Sequence, residues 1–434
     1  MTSSLPRFHP ATRAFRFSIL IFISLLSFGT YFAYDIIGAV APTLIEELGA
    51  HRSTVGSMYT IYSIAAILSV FIGGFMIDRL GTRKASMIFS ILVFIGAMGV
   101  AVAHSLPVLF IGRFIFGAGS EPLIVAQSAM IARWFKNKEI ALAYGIALTV
   151  SRLGTLFSFN MGELISNQFG GYRAALIAAV FCCALSLLAN VVYIIMDRKG
   201  ENTLKLEDTG ADEKIVLKDI RDFKPSFWFV TFLCLTFYSA IFPFTALSTD
   251  FFVDKWSIQR VAEAHGGFLI QVFNNFFHMF NTAGGITSII IFASMIFAPV
   301  AGHLVDRKGH RTSVMIWGSL LLIPSYLALG LTHIHPAVPM MVLGMAFVLV
   351  PAALWPSVPM VVNSKKVGTA FGLLTMIQNI GLALFPFLNG LLRDATHNYT
   401  ASMIMFASLG IMGLIFAVLL KRSDKTAGGI LESP

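Results

Sequence analysis

GFMIDRLGTRK, residues 74–84, returns as GHLVDRKGHR at residues 302–311. Gly74, Asp78, Arg79, Gly81 and Arg83 fall on Gly302, Asp306, Arg307, Gly309 and Arg311, each at an offset of 228. A second match, at an offset of 227, aligns Gly145, Arg152 and Gly154 with Gly372, Asn379 and Gly381. Self-similarity at a fixed long offset marks a duplicated structural unit. Both copies run in the same order, and duplicates of this kind commonly pack as two bundles around a central cavity. Within the motif, glycine allows close packing and a tight turn. The Asp stands where it can cap a helix N-terminus and pair with a basic residue.

Composition identifies the solvent of the repeated unit. Of 434 residues, 56% are hydrophobic and 12% charged, with 40 Phe. A soluble domain of this size has too little interior to hide that surface, so lipid is the implied solvent. A spanning helix needs about 20 apolar residues, and twelve stretches between residues 17 and 420 reach that length. The expected fold is an all-α membrane protein of twelve transmembrane helices in two six-helix bundles. Residues 1–196 form the first, 226–434 the second, and 197–225 a polar linker. In the linker, Ile215, Val216, Leu217, Ile220 and Phe223 share one helical face. That pattern predicts a short amphipathic helix on the inner membrane surface. Segment 251–281 is about 18 residues longer than its counterpart at 41–53 and rich in Phe and Gly. It reads as an interfacial helix, with a lid or re-entrant piece as the alternative.

Charge placement sets the orientation. With both ends inside, the inner segments carry 24 Lys and Arg and the outer loops five. The net charge of +9 is therefore a topogenic signal and not a nucleic-acid footprint. Cys182, Cys183 and Cys234 lie in apolar runs without metal or redox spacing. His104, His303, His333 and His335 read as loop or boundary residues. No nucleotide loop, nucleophile motif or metal spacing points to an enzyme, and no cofactor or metal is expected. The first apolar run lacks a small-residue cleavage site and reads as a retained helix.

A charge at mid-membrane costs at least about 2.5–3.5 kcal/mol and persists when paired or wet. Four stand out. Asp35 and Arg113 each lie about 10 Å below the outer surface at 1.5 Å per residue, on the first and fourth spans. They read as an ion pair with a structural or gating role, direct substrate contact being the alternative. Glu121, beside Pro122, and Arg152 lie deeper, near the middles of the fourth and fifth spans. One reading is a permanent salt bridge, but buried pairs often add no net stability. The other is a recognition pair: Glu121 holds an ammonium, and the Arg152 fork grips a carboxylate. The second half differs. Gln378 and Asn379 offer amide hydrogen bonds, while Tyr238, Phe242, Phe244 and Trp355 are candidates for an apolar, adaptable wall.

The G-x-x-x-D-R-x-G-x-R pattern resembles the loop between the second and third helices of the major facilitator superfamily. The resemblance implies that Asp78, Arg79, Arg83, Asp306, Arg307 and Arg311 serve gating or structure and not substrate chemistry. SFGTYFAYD, GRFIFGAGSEPLIVAQ, WFKNKE, SRLGT, YSAIFPF, LWP, GTAFG and IQNIGLA resemble, more narrowly, the branch that contains animal lysosomal dipeptide carriers. That branch implies facilitated movement of dipeptides, with its helix-4 glutamate falling on Glu121 and its helix-5 arginine on Arg152. "Dipeptide" comes from the resemblance; the clamp for a zwitterion comes from the charges. The N-terminal tail lacks an acidic dileucine signal, which favours a bacterial-type plasma membrane over a lysosomal one. An accessory subunit is not implied and a monomer is expected, its partners being the substrate and the bilayer.

Three readings remain open at this point. They are a dipeptide uniporter working by alternating access, a proton-coupled symporter of small organic anions, and a non-transporting membrane receptor.

Overall fold

The structure is a computed structural model that describes residues 9, 10, 12–135, 139–204, 223–263, 266–363 and 366–433. Among them, twelve helices are long and apolar enough to cross a membrane. The helices are α1 (Arg13–Ala39), α2 (Ala41–Leu48), α3 (Arg52–Ala101), α4 (Leu106–Phe135), α5 (Ile140–Phe169), α6 (Tyr172–Leu204) and α7 (Pro225–Thr245). They continue as α8 (Ser248–Trp256), α9 (Phe268–Phe277), α10 (Ala283–Lys308), α11 (Arg311–Leu331), α12 (Ala337–Val361), α13 (Val367–Thr396) and α14 (Thr400–Thr426). The long α3 carries two spans and breaks at Gly81, whose φ of 77° and ψ of 159° suit a residue without Cβ. Gly309, with φ 63°, plays the same part between α10 and α11. The amphipathic linker helix expected around 215–223 lies outside the described residues, apart from Phe223, which is buried.

The chain forms two compact units. Unit 1 comprises Met1–Ile36, Ile64–Ser158 and Arg173–Asp212; unit 2 comprises Ile37–Ser63, Phe159–Tyr172 and Glu213–Pro434. In unit 1, small residues bring helix backbones together. A Cβ on Gly96 of α3 would collide with the Phe116 nitrogen of α4, and one on Gly154 of α5 would collide with the Phe28 oxygen of α1. In unit 2, α11 packs on α12 and α14, α10 on α12, and α7 on α13 and α14. Phe244 belongs to this core. It is buried and meets Phe251, Phe252, Tyr326 and Phe406 edge-on, which removes it from the expected adaptable wall.

Unit 2 also collects the ends of α1, α3 and α5 on the side opposite the basic loops. The close crossing of α3 and α13 rests on glycine: a Cβ on Gly56 would collide with the Pro386 oxygen, and one on Gly390 with the Arg52 oxygen. The Asp394 carboxylate accepts from the Arg52 and Ser53 amides at 3.1 and 2.9 Å, capping α3 from another helix. Arg52 grips Asp250 through Nε at 2.9 Å and Nη2 at 3.2 Å, and Tyr399 donates to the same carboxylate at 2.5 Å.

Segment 251–281 contains the last six residues of α8 and all of α9. Leu269, Ile270, Phe273 and Phe277 of α9 are exposed, while buried Asn275 donates to the Asn160 carbonyl. An apolar face turned outward from a polar attachment is the pattern of an interfacial helix. At the motif glycines Gly74 and Gly302, an added Cβ would meet nothing within 4 Å. Close packing therefore does not arise at these two loop-motif glycines, whereas Gly154 and Gly381 of the second match are tightly packed.

These contacts predict a contrast. Gly56→Val overpacks the α3–α13 crossing and costs about 1–3 kcal/mol, read as a lower Tm of the purified protein. Gly74→Ala changes stability by no more than about 0.5 kcal/mol. Equal Tm values for the two variants would remove the crossing from the account.

Candidate functional site

Unit 1 holds the four intramembrane charges singled out in the sequence, Asp35, Arg113, Glu121 and Arg152. Asp35 of α1 is buried and accepts from the Thr155 hydroxyl of α5 at 2.6 Å. Arg113 of α4 is buried, donates to the Ala33 carbonyl at 3.5 Å and lies over the rings of Tyr34 and Phe116 at 5.6 and 5.4 Å. Asp35 and Arg113 are within electrostatic reach of each other. The closest described partner of Asp35 is nevertheless Thr155, a residue that sequence reasoning missed.

Glu121 of α4 and Arg152 of α5 are half-buried and both are engaged by neighbours. They share an electrostatic neighbourhood at Tyr31 of α1, which feels Glu121, Asp35 and Arg152. Three helices thus bring an anion, a cation and a phenol together in hydrocarbon. Such a set can hold a molecule with both signs of charge, because each ion it offers meets its opposite. Tyr31 carries no sequence signal beyond being an aromatic residue within a span; only the packing of α1 against α5, close at Gly154 and Phe28, brings it here.

The sequence candidates of the second half gather within unit 2. Trp355 of α12 donates from Nε1 to the Tyr238 hydroxyl of α7 at 2.9 Å. Tyr238 stacks on Phe242 at 5.8 Å, and Trp355 on Phe371 at 6.0 Å. This aromatic row is partly accessible at Trp355 and buried at Tyr238. Gln378 accepts from the Cys234 thiol at 3.4 Å. Asn379 is buried; its Nδ2 donates to the Thr375 carbonyl one turn back at 3.0 Å, and its Oδ1 has no hydrogen-bond partner among the described residues. Burial without a partner leaves that oxygen with a desolvation cost.

The motif loops are held by groups the motif does not contain. Arg83 pairs with Asp197 at 3.5 Å and with Glu201, both at the end of α6. Buried Arg133 pairs with the same two carboxylates at 3.4 and 3.6 Å, and Trp134 donates to Asp197 at 2.7 Å. Asp78 and Arg79 are exposed, the latter over the Phe75 ring at 4.3 Å. In the second copy, the Asp306 side chain lies outside the described residues and Arg307 is exposed. Arg311 donates to the Ser433 carbonyl at 2.6 Å. Glu432 accepts from the Ser313 amide at 3.2 Å, from the Thr312 hydroxyl and from His310 Nδ1 at 2.9 Å, so a tail carboxylate caps α11. An acidic residue at a span's polar end was the available signal for Asp197 and Glu201.

The family model of the Major Facilitator Superfamily matches residues 23–273 and 262–433. The chain belongs to the major facilitator superfamily. The human lysosomal dipeptide transporter MFSD1 is 31% identical over 436 residues, covering 98% of this chain and 89% of that protein. The zebrafish (Danio rerio) protein of the same name is 31% identical over 94% of this chain and 87% of its own. A hexuronate transporter of Bacillus subtilis is 22% identical over 96% of this chain and 97% of its own. A crystal structure of the nucleoside transporter NupG matches with a TM-score of 0.71 at 15% identity, covering 93% of this chain and 99% of that one. The fold is therefore that of the superfamily, with twelve membrane helices, and the chain is a multi-pass membrane transporter and not an enzyme.

The tail contact predicts a pH dependence. Partial burial works to raise the Glu432 pKa, but hydrogen bonds from Thr312 and His310 and the Lys421 charge outweigh it and hold the carboxyl below its ordinary value of 4.5. A carboxyl depressed in the folded state contributes stability above its unfolded pKa and loses it as pH falls through the folded one. A fluorophore on Ser433→Cys should show high anisotropy at pH 7 and lose it below the ordinary carboxylate range. Glu432→Gln should lower it already at pH 7. Anisotropy unchanged by both treatments would mean that another contact holds the tail.

Proposed function

We propose that this transporter moves dipeptides by alternating access, as a uniporter, with Glu121 holding the free amino group and Arg152 the free carboxylate. The observation that carries the reading is that opposite intramembrane charges from α4 and α5, Glu121 and Arg152, both lie within electrostatic reach of Tyr31 of α1. An intramembrane ion is a functional candidate by default. Two of them offset each other while the site is empty, and each regains a partner when a zwitterion enters. Support also comes from relatives 31% identical over nearly the whole chain whose name is lysosomal dipeptide transporter. On this reading Tyr238, Trp355, Gln378 and Asn379 accommodate the variable part of the substrate. Asp35 and Arg113 are structural or gating charges, as are Asp78, Arg79, Arg83, Asp306, Arg307 and Arg311. The protein works as a monomer in the plasma membrane, with the basic loops and both termini in the cytoplasm.

A second reading has its own support. A hexuronate transporter and a probable sulfoacetate transporter are 22% and 24% identical over 96% and 92% of this chain. For a small organic anion, Arg152 alone grips the carboxylate, and Glu121 or Asp35 carries a proton.

Uptake into liposomes and thermal shift separate the two. Dipeptides with free ends should raise Tm, whereas end-blocked versions and small organic acids should not. Glu121→Gln and Arg152→Ala each remove one of two half-buried opposite charges, at about 2 kcal/mol, the low end for truncating a buried pair. Uptake should fall at least about 30-fold while the protein stays folded and monodisperse. A proton ionophore should leave equilibration of a neutral dipeptide unchanged. Equal stabilisation by blocked dipeptides would sink the clamp, and stabilisation by organic acids alone would favour the second reading.

A further inference from the structure

Unit 2 contains a cavity of about 780 Å³ on the side opposite the basic loops, among α2, the end of α5 and the segment after α8. Among the described residues its charged lining is lopsided: Glu46, Glu47, Glu163 and Glu263 stand against one guanidinium, that of Arg260. The deepest carboxylate, Glu163, is buried and accepts from the Thr43 hydroxyl at 2.6 Å and the Thr43 amide at 3.4 Å. Both donors are neutral, and a buried carboxylate gains most from a cationic one. Arg260 supplies charge from the rim, donating to Thr43 Oγ1 at 3.1 Å and pairing with Glu46 at 2.8 Å.

A second observation points to a ligand. Ser166 lines the same cavity, is buried, and its Oγ has no hydrogen-bond partner among the described residues. A serine in a helix ordinarily satisfies its hydroxyl on the carbonyl one turn back, as Ser325 and Ser357 do. An unsatisfied buried hydroxyl costs free energy, and a bound donor on this wall would recover it.

The chemistry narrows the ligand class. Among the described residues no group of three or more His, Cys, Asp or Glu is close enough to hold a metal ion. The carboxylates are spread around a volume of small-molecule size. The complement is an extended organic cation with several N–H donors and not a point charge.

We infer that this cavity is a binding site for organic cations carrying primary ammonium groups, and that Arg260 is its built-in competitor. An ammonium offers three donors, enough to meet Glu163, Ser166 and a third acceptor at once. A second ammonium on the same molecule reaches the rim carboxylates Glu46 and Glu47 and takes over the charge that Arg260 neutralises. This inference is independent of the dipeptide reading, because none of its residues belongs to the Glu121–Arg152 set.

The probe is cadaverine, titrated against the purified full chain by microscale thermophoresis, with 1,5-pentanediol as the neutral analogue. Saturable binding is expected for cadaverine and not for the diol. Glu163→Gln keeps the shape and one of the two oxygens that accept from Thr43, and should weaken cadaverine at least tenfold. Arg260→Ala removes the competitor and should tighten it by about as much, a gain that a merely damaged protein does not produce. Glu121→Gln should leave the affinity unchanged even if it abolishes dipeptide uptake. The inference fails if cadaverine does not bind in a saturable manner to the wild type or to Arg260→Ala. It also fails if Glu163→Gln has no effect, or if Glu121→Gln removes binding.

Discussion

An ion held in hydrocarbon must be matched by an opposite charge, by hydrogen bonds or by water, and most of the polar architecture of this transporter answers that demand. Asp35 meets a hydroxyl from a neighbouring helix. Arg113 meets a carbonyl and two aromatic faces. Asp197 collects two arginines and an indole where α6 leaves the apolar layer. Glu121 and Arg152 remain half-buried around Tyr31. They therefore differ from the fully enclosed Asp35 and Arg113 of the same unit.

The duplicated halves apply one constraint with different parts. In each copy the loop closes through a glycine at positive φ, Gly81 and Gly309, because an L side chain is strained there. Each copy then receives carboxylates from a distant stretch of chain. For the first loop they come from the end of α6, through Asp197 and Glu201. For the second, Glu432 in the tail caps α11, while Asp424 accepts the Leu431 amide at 3.1 Å and holds the tail in place. Asp197 and Asp424 stand 227 residues apart, an offset found elsewhere in the repeat. Helix ends and loops that carry unsatisfied donors attract whatever carboxylate the topology supplies.

The second half has traded charge for aromatic surface. Its spans hold an indole hydrogen-bonded to a phenol, with Phe242 and Phe371 stacked at the flanks. An aromatic surface makes contacts of little directionality, whereas the ionic set in unit 1 offers fixed charge of both signs. Relatives with dipeptide, hexuronate and nucleoside substrates share this scaffold. Substrate choice therefore rests with individual side chains and not with the fold.

Sequence by itself determined the membrane class, the twelve spans, the duplication and the positions of the improbable charges. These follow from composition, run length and fixed offset, all of which are properties of the chain taken in order. Tertiary structure decided which side chains meet. Thr155 bonds Asp35, and Tyr31 lies within electrostatic reach of Glu121 and Arg152, because helix packing brings positions 90 to 121 residues apart close together. Phe244 left the expected wall because its face of α7 turns into the core, while Tyr238 on the same helix meets Trp355. The 780 Å³ acidic cavity had no linear signature at all. Its walls come from three separated segments, and hydrophobic periodicity specifies which face of a helix is buried but not which distant segment will cover it.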